Sequence, residues 1–181
     1  MTKNKECGFT LIELMIAMAI LTMVMASVYG VYIASSRTAT IQNASAAAQQ
    51  SVRLGIELMA QDIRMAGFDP LGTAGAAIVI SQPGKIQVTS DKNSDGSIND
   101  TGFERISYEL SRTDLRRILY EGTARQSVQP LIENVTDLVF TYSGSNNCNV
   151  TIELEITELA GLADPIVRRL ETQVYCRNLD L

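Results

Sequence analysis

The sequence predicts an α+β protein in which a long N-terminal helix, half of it apolar enough to cross a membrane and half amphipathic, packs on a C-terminal antiparallel β-sheet. Three observations carry this. Between positions 9 and 34 the only strongly ionisable side chain is Glu13. Between positions 52 and 66 apolar residues recur at helical spacing, and beyond about position 76 the hydrophobic period changes to two.

The first element is the apolar stretch. A helix needs about 20 apolar residues to cross a bilayer core, and residues 9–34 supply them. Ahead of it stands MTKNKECG, whose Lys3 and Lys5 form a positive region expected to stay cytoplasmic, so that the rest of the chain is exported. Glu13 is the anomaly, because an ionised carboxylate at the bilayer centre costs about 2.5 kcal/mol or more. An ordinary secretory signal cleaved near residues 27–35 and a simple signal anchor are both open readings of the stretch. Neither accounts for an acid five residues beyond Gly8.

The second element continues the first. No proline occurs from Ala34 to Pro70, and the composition turns to Ala, Gln, Ser and Arg, all compatible with helix. Val52, Ile56, Met59, Ile63 and Ala66 make one apolar stripe, with Arg53, Glu57, Gln61 and Arg64 off it. The run Gly67-Phe68-Asp69-Pro70 is a stop signal. The expected division is 1–8, 9–34, an amphipathic helix over 35–69 and a β-rich domain over 70–181.

The strands follow. Residues 76–81 and 85–90 flank Gln82-Pro83-Gly84, which reads as a hairpin turn. Ile106, Tyr108 and Leu110 alternate with polar neighbours. Val150, Ile152, Leu154 and Ile156 do the same, Leu138, Phe140 and Tyr142 make another run at a spacing of two, and Ile166, Leu170, Val174 and Cys176 make a final one. One antiparallel sheet with one dry face is expected, covered by the amphipathic half of the helix.

Between two strands lies DKNSDGSIND, residues 91–100. Asp91, Asn93 and Asp95 at alternate positions, followed by Gly96, Ser97 and Ile98, match the first eight positions of an EF-hand-type calcium loop. Position twelve of such a loop should be a bidentate Glu and is Gly102, so Asp100 or Glu104 would have to complete the shell. Calcium is the candidate cofactor, and a polar, glycine-containing connection is the other reading of the same residues. Arg112, Arg116 and Arg117 are either a basic patch for a partner or a solvated strand face.

Composition narrows the function. Fifteen basic against twenty acidic residues give a net charge of −5, which disfavours nucleic acid as a partner. The absence of His removes the commonest general base and a common zinc ligand, and no nucleophile–base pair is identifiable, so no enzyme is expected.

The stretch Gly8-Phe9-Thr10-Leu11-Ile12-Glu13 resembles the prepilin processing site of type IV pilins and type II secretion pseudopilins. The long helix followed by a sheet resembles the type IV pilin fold. Residues 133–142, ENVTDLVFTY, and 174–179, VYCRNL, are similar to PilW-type minor pilins and to pseudopilin J of type II secretion. Where major pilins often carry a mid-helix proline this chain has Gly30, a candidate soft point.

The resemblance implies cleavage after Gly8 on the cytoplasmic face and N-methylation of the new terminus at Phe9. Glu13 would then pair with the amine of a neighbouring subunit and set its register, the alternative being a side chain that snorkels to the interface. Removing residues 1–8 also removes Cys7, leaving Cys148 and Cys176 in an oxidising compartment where they can pair.

The implied partners are other pilins and minor pilins in a filament, the prepilin peptidase and methylase, and the inner-membrane assembly platform. The implied location is the inner membrane, with the C-terminal domain periplasmic, and then the pilus or pseudopilus. The implied function is that of a minor pilin in pilus assembly, initiation or tip formation. A minor pseudopilin of type II secretion is the alternative, and an adhesive binding module is a third reading.

Overall fold

A computed structural model describes residues 9–99, 102–158 and 165–179. The longest element is helix α1, Leu11–Arg64. The chain divides into two compact units, residues 1–43 and 44–181, so this one helix contributes to both.

In the first unit α1 is exposed along its apolar length. Leu11, Ile12, Met15, Met18, Leu21, Val28 and Val31 are all more than half exposed. It is long and apolar enough to cross a membrane. Its hydroxyls bond back to its own carbonyls: Thr22 Oγ1 donates to Ala19 O at 2.8 Å and Ser27 Oγ to Met23 O at 3.0 Å. A span in lipid has no water to satisfy such groups, so this internal pairing suits it. Helical structure runs through Gly30 without a break.

In the second unit the rest of α1 lays its stripe on the sheets. Val52, Ile56, Met59, Ile63 and Ala66 are all buried, while Arg53, Glu57, Gln61 and Arg64 are exposed. The helix ends at Arg64, and the chain turns at Gly67, where φ is +80°. The Gly67 N–H reaches Thr89 O at 3.0 Å, and a Cβ there would stand 2.4 Å from Leu179 Cδ2, so the turn requires glycine twice over.

Eight strands follow among the described residues: β1 Ile78–Gln82, β2 Lys85–Thr89, β3 Arg105–Ser111, β4 Asp114–Leu119, β5 Ser127–Ile132, β6 Val135–Ser143, β7 Asn149–Glu158 and β8 Ile166–Tyr175. They form two antiparallel sheets rather than the single one expected, a five-stranded meander β1-β2-β3-β4-β5 and a three-stranded meander β6-β7-β8. The alternating residues mark the dry faces of β3, β6 and β7, whereas on β8 Val174 is buried and Leu170 is exposed. Ile106, Tyr108, Leu138, Phe140 and the Val150-to-Ile156 set are buried and join the helix stripe in one core.

The sheets meet through hairpin tips. The Phe140 N–H donates to Pro83 O at 2.7 Å, from the β1–β2 turn. The Val135 N–H donates to Thr113 O at 2.8 Å, from the β3–β4 turn. The open flank of β6 is thus capped by turn carbonyls. A long N-terminal apolar helix with antiparallel sheets packed on its second half is an α+β layout that matches the type IV pilin fold.

Candidate functional site

Three sets of residues carry chemistry. The first is the start of α1. Thr10 precedes the helix, and its N–H and its hydroxyl both donate to Glu13 Oε2, each at 2.9 Å. In return the Glu13 N–H reaches Thr10 Oγ1 at 3.4 Å. This is a reciprocal capping box, in which two orphan donors of the helix terminus are satisfied by side chains three residues apart. An acid in the first turn also faces the positive end of the helix dipole. The expected pairing of Glu13 with a neighbour's amine, or its snorkelling to the interface, concerns contacts beyond this cap. The cap itself went unread in the sequence, although its signal, Thr-x-x-Glu at a helix start, is local. Phe9, the expected mature terminus, is 91% exposed just ahead of the cap. Gly8, the expected cleavage position, lies outside the described residues.

The second set is the 91–104 loop, where the sharp turn that the motif asks for at its sixth position is present, Gly96 having φ +80°. Asp91 and Glu104 are fully buried. Asp91 Oδ1 accepts from the Asp95 N–H at 3.2 Å and its Oδ2 from the Gly96 N–H at 2.9 Å. Glu104 braces the loop at two points, accepting from the Asn93 N–H at 3.3 Å and the Asn99 N–H at 3.1 Å. Asp95 turns outward to the Ser97 N–H and hydroxyl, with Asn93 and Asn99 amides on its other oxygen. Its carboxyl is held below the usual range by those bonds, the Ser97 hydroxyl first.

Hard oxygen donors around two buried carboxylates suit calcium in kind. Their aim fits less well: among the described residues no three acidic side chains stand close enough together to hold a metal ion. Asp100 lies outside the described residues.

The third set is the cysteine pair. Cys148 precedes β7 and Cys176 follows β8, continuing the register Asn149↔Tyr175, and the Cys176 N–H donates to Cys148 O at 2.7 Å. Both are buried, unbridged thiols. Burial, and secondarily the neighbouring Cys148, push the Cys176 thiol up to about 11. Directly opposed residues on adjacent antiparallel strands have Cα atoms about 4.5 to 5.5 Å apart, inside the range that a disulfide spans.

The three arginines do not make a patch. Arg117 turns inward, its Nη2 donating to Asp62 Oδ2 at 2.8 Å, and Arg116 lies 3.8 Å from Asp114. Asp62, on the buried side of α1, also accepts from the Tyr108 hydroxyl at 2.6 Å. Sequence reasoning missed this triad, since its members lie 46 and 55 positions apart.

Among family models, the prokaryotic N-terminal methylation motif matches residues 3–29. Neither a curated protein nor a solved structure matches the chain. The motif covers the expected cleavage point, the capping box and most of the apolar half of α1. It supports a type IV pilin-like or pseudopilin subunit, processed by a prepilin peptidase and assembled with other pilins, and the apolar helix fits an inner-membrane anchor.

Proposed function

We propose that the chain is a minor pilin of a type IV pilus. It is made as a precursor, cut after Gly8, methylated at Phe9, anchored by the apolar half of α1 and built into a filament at low copy to initiate assembly or form its tip. The C-terminal unit is then periplasmic before assembly. The observation that carries this reading is the run Gly8 to Glu13 inside the methylation motif, with the helix cap placed immediately after the cleavage position. Cleavage ahead of the apolar segment leaves the anchor in place and creates a positive amine beside it. Glu13 Oε2 serves the cap. The remaining oxygen, Oε1, accepts nothing among the described residues and is the atom we assign to a neighbour's amine.

The test is N-terminal sequencing of the chain expressed with a prepilin peptidase. A mature protein that begins at Phe9 is expected, and Gly8→Leu should leave the precursor uncut. Glu13→Ala should be cleaved and membrane-inserted yet poorly incorporated into filaments. A start other than Phe9, or normal incorporation of Glu13→Ala, overturns the processing or the pairing respectively. The same motif also supports a minor pseudopilin of type II secretion. Loss of twitching on deletion selects the pilus, and loss of protein export alone selects the pseudopilus.

Two further assignments belong to this reading. Cys148 and Cys176 are bridged in the exported protein, and the 91–104 loop takes calcium through Asp91, Asn93, Asp95 and Ser97, with Asp100 or Glu104 completing the shell.

A further inference from the structure

β8 is an edge strand: among the described residues its strand partner is β7 alone. Its inner face is incompletely covered. Leu170 stands opposite Leu154, which is fully buried, yet Leu170 is 41% exposed. Arg168 stands opposite Ile156, also fully buried, so a guanidinium occupies a core-facing position at the rim. Its Nη2 donates to Ser45 Oγ at 2.6 Å and its Nη1 to Val167 O at 3.1 Å. Its Nε is buried without an acceptor, and no carboxylate pairs with it among the described residues. The neighbouring cations are already matched, Arg53 by Glu57 and Arg169 by Glu153. These side chains border a groove of ≈ 310 Å³ between α1 and β8, floored by Val52 and Leu170.

We propose that this groove docks a short acidic and apolar segment of a neighbouring protein subunit, with a carboxylate on Arg168 and an aliphatic side chain on Val52 and Leu170. A guanidinium paired with no carboxylate among the described residues calls for one charge, which a carboxylate supplies in matching planar geometry. The apolar floor beside it calls for a side chain that a free phosphate lacks. That the partner is a neighbouring subunit rests on the filament reading, whereas the chemistry of the groove stands apart from it.

The experiment uses the full chain in detergent micelles and a fluorescent Ser-Leu-Glu-Leu-Glu-Ser peptide, with a twin in which both glutamates are glutamine. The acidic peptide should bind at least about tenfold more tightly than its twin, and Arg168→Gln should remove most of that preference. Arg53→Gln, on the exposed face of the helix, should weaken it less and guards against an Arg168 variant that fails to fold. Equal binding of the two peptides, no binding of either, or an unaltered preference in a folded Arg168→Gln protein overturns the proposal. So does displacement of the peptide by inorganic phosphate at constant ionic strength, which would assign the groove to phosphate. A chain that is cleaved at Gly8 but ignores the peptide fails this proposal alone, and one that binds the peptide but is never cleaved fails the filament reading alone.

Discussion

The Tyr108 hydroxyl donates to the Asp62 carboxylate at 2.6 Å, joining the middle of β3 to the last full turn of α1 inside the core. Arg117 shares the same oxygen, and Lys92 approaches the other at 4.0 Å, so the buried acid is compensated from three sides. Tyr108→Phe removes one hydrogen bond to a charged acceptor and should cost about 1.5 to 3 kcal/mol. Asp62→Ala strands the Arg117 guanidinium and should cost more, about 3 to 5 kcal/mol. Denaturant unfolding of the detergent-solubilised chain checks the order of the two.

Alkaline pH should weaken the same interface. Burial first, and then the Asp62 charge, raise the Tyr108 pKa far above the tyrosine range, and burial also raises that of Tyr142. A raised folded-state pKa means that stability is fully present below the unfolded value, about 10, and is lost as pH climbs past it. Stability measured from pH 8 to 11 should therefore fall at the upper end. Tyr108→Phe with Tyr142→Phe should flatten that fall, and an unchanged slope would refute the assignment.

Helix and sheet also meet at a glycine. A Cβ on Gly55 would lie 2.3 Å from Ile132 Cδ1 and 3.6 Å from Leu154 Cδ2. Gly55→Ala gains about 1 kcal/mol of helix propensity but forces Ile132 to move, at a cost of about 1 to 3 kcal/mol, so net destabilisation is expected. In an Ile132→Ala background the clash is gone and the same change should stabilise. A double-mutant cycle that shows no coupling would contradict this packing.

The proposed Cys148–Cys176 bridge is read directly by mass spectrometry of thiol-blocked, non-reduced protein. A linked peptide is expected, with a stability gain of about 3 to 4 kcal/mol over the reduced form in the chain-entropy model. Two alkylated thiols in protein exported to an oxidising compartment would refute it. With the Cys176 thiol raised to about 11, the thiolate is scarce at neutral pH, so bridging, in which an oxidant takes up the two electrons, should be slow there unless an oxidase catalyses it.

For the 91–104 loop, calcium should raise the melting temperature relative to chelator. An ion at a hundredfold excess over its Kd adds about 2.7 kcal/mol. Asp91→Ala should abolish that gain and also destabilise the calcium-free chain, because the Asp95 and Gly96 N–H groups lose their acceptor. Coincident melting curves, with no calorimetric binding at millimolar calcium, would leave Asp91 and Glu104 as brackets of a polar turn.

The helix was legible because Val52, Ile56, Met59, Ile63 and Ala66 fall on one stripe whatever they pack against. The split into two sheets was not, because alternation tells which face of a strand is dry and says nothing of which strand lies beside it. Strands β4, DLRRIL, and β5, SVQPLI, lack clean alternation, and the arginine pair in β4 reads as solvated until Asp62 arrives from the helix. Arg168 was hidden in a similar way. Ile166, Leu170 and Val174 marked an inner face, but the guanidinium between them on that face is explained by Ser45, 123 positions away. The Thr10–Glu13 cap was local and could have been read from the sequence alone.

The carbonyls of Pro83 and Thr113 that close the flank of β6 make two hairpin turns intolerant of length change. Surface turns commonly accept inserted residues, because nothing depends on where their tips lie. Here a single inserted residue would withdraw the acceptor from Phe140 or Val135 and leave that strand N–H open to any passing chain. Epitope tags and fluorophore-bearing peptides for following the protein in cells therefore belong at the exposed residues 124–126 rather than at either of these tips.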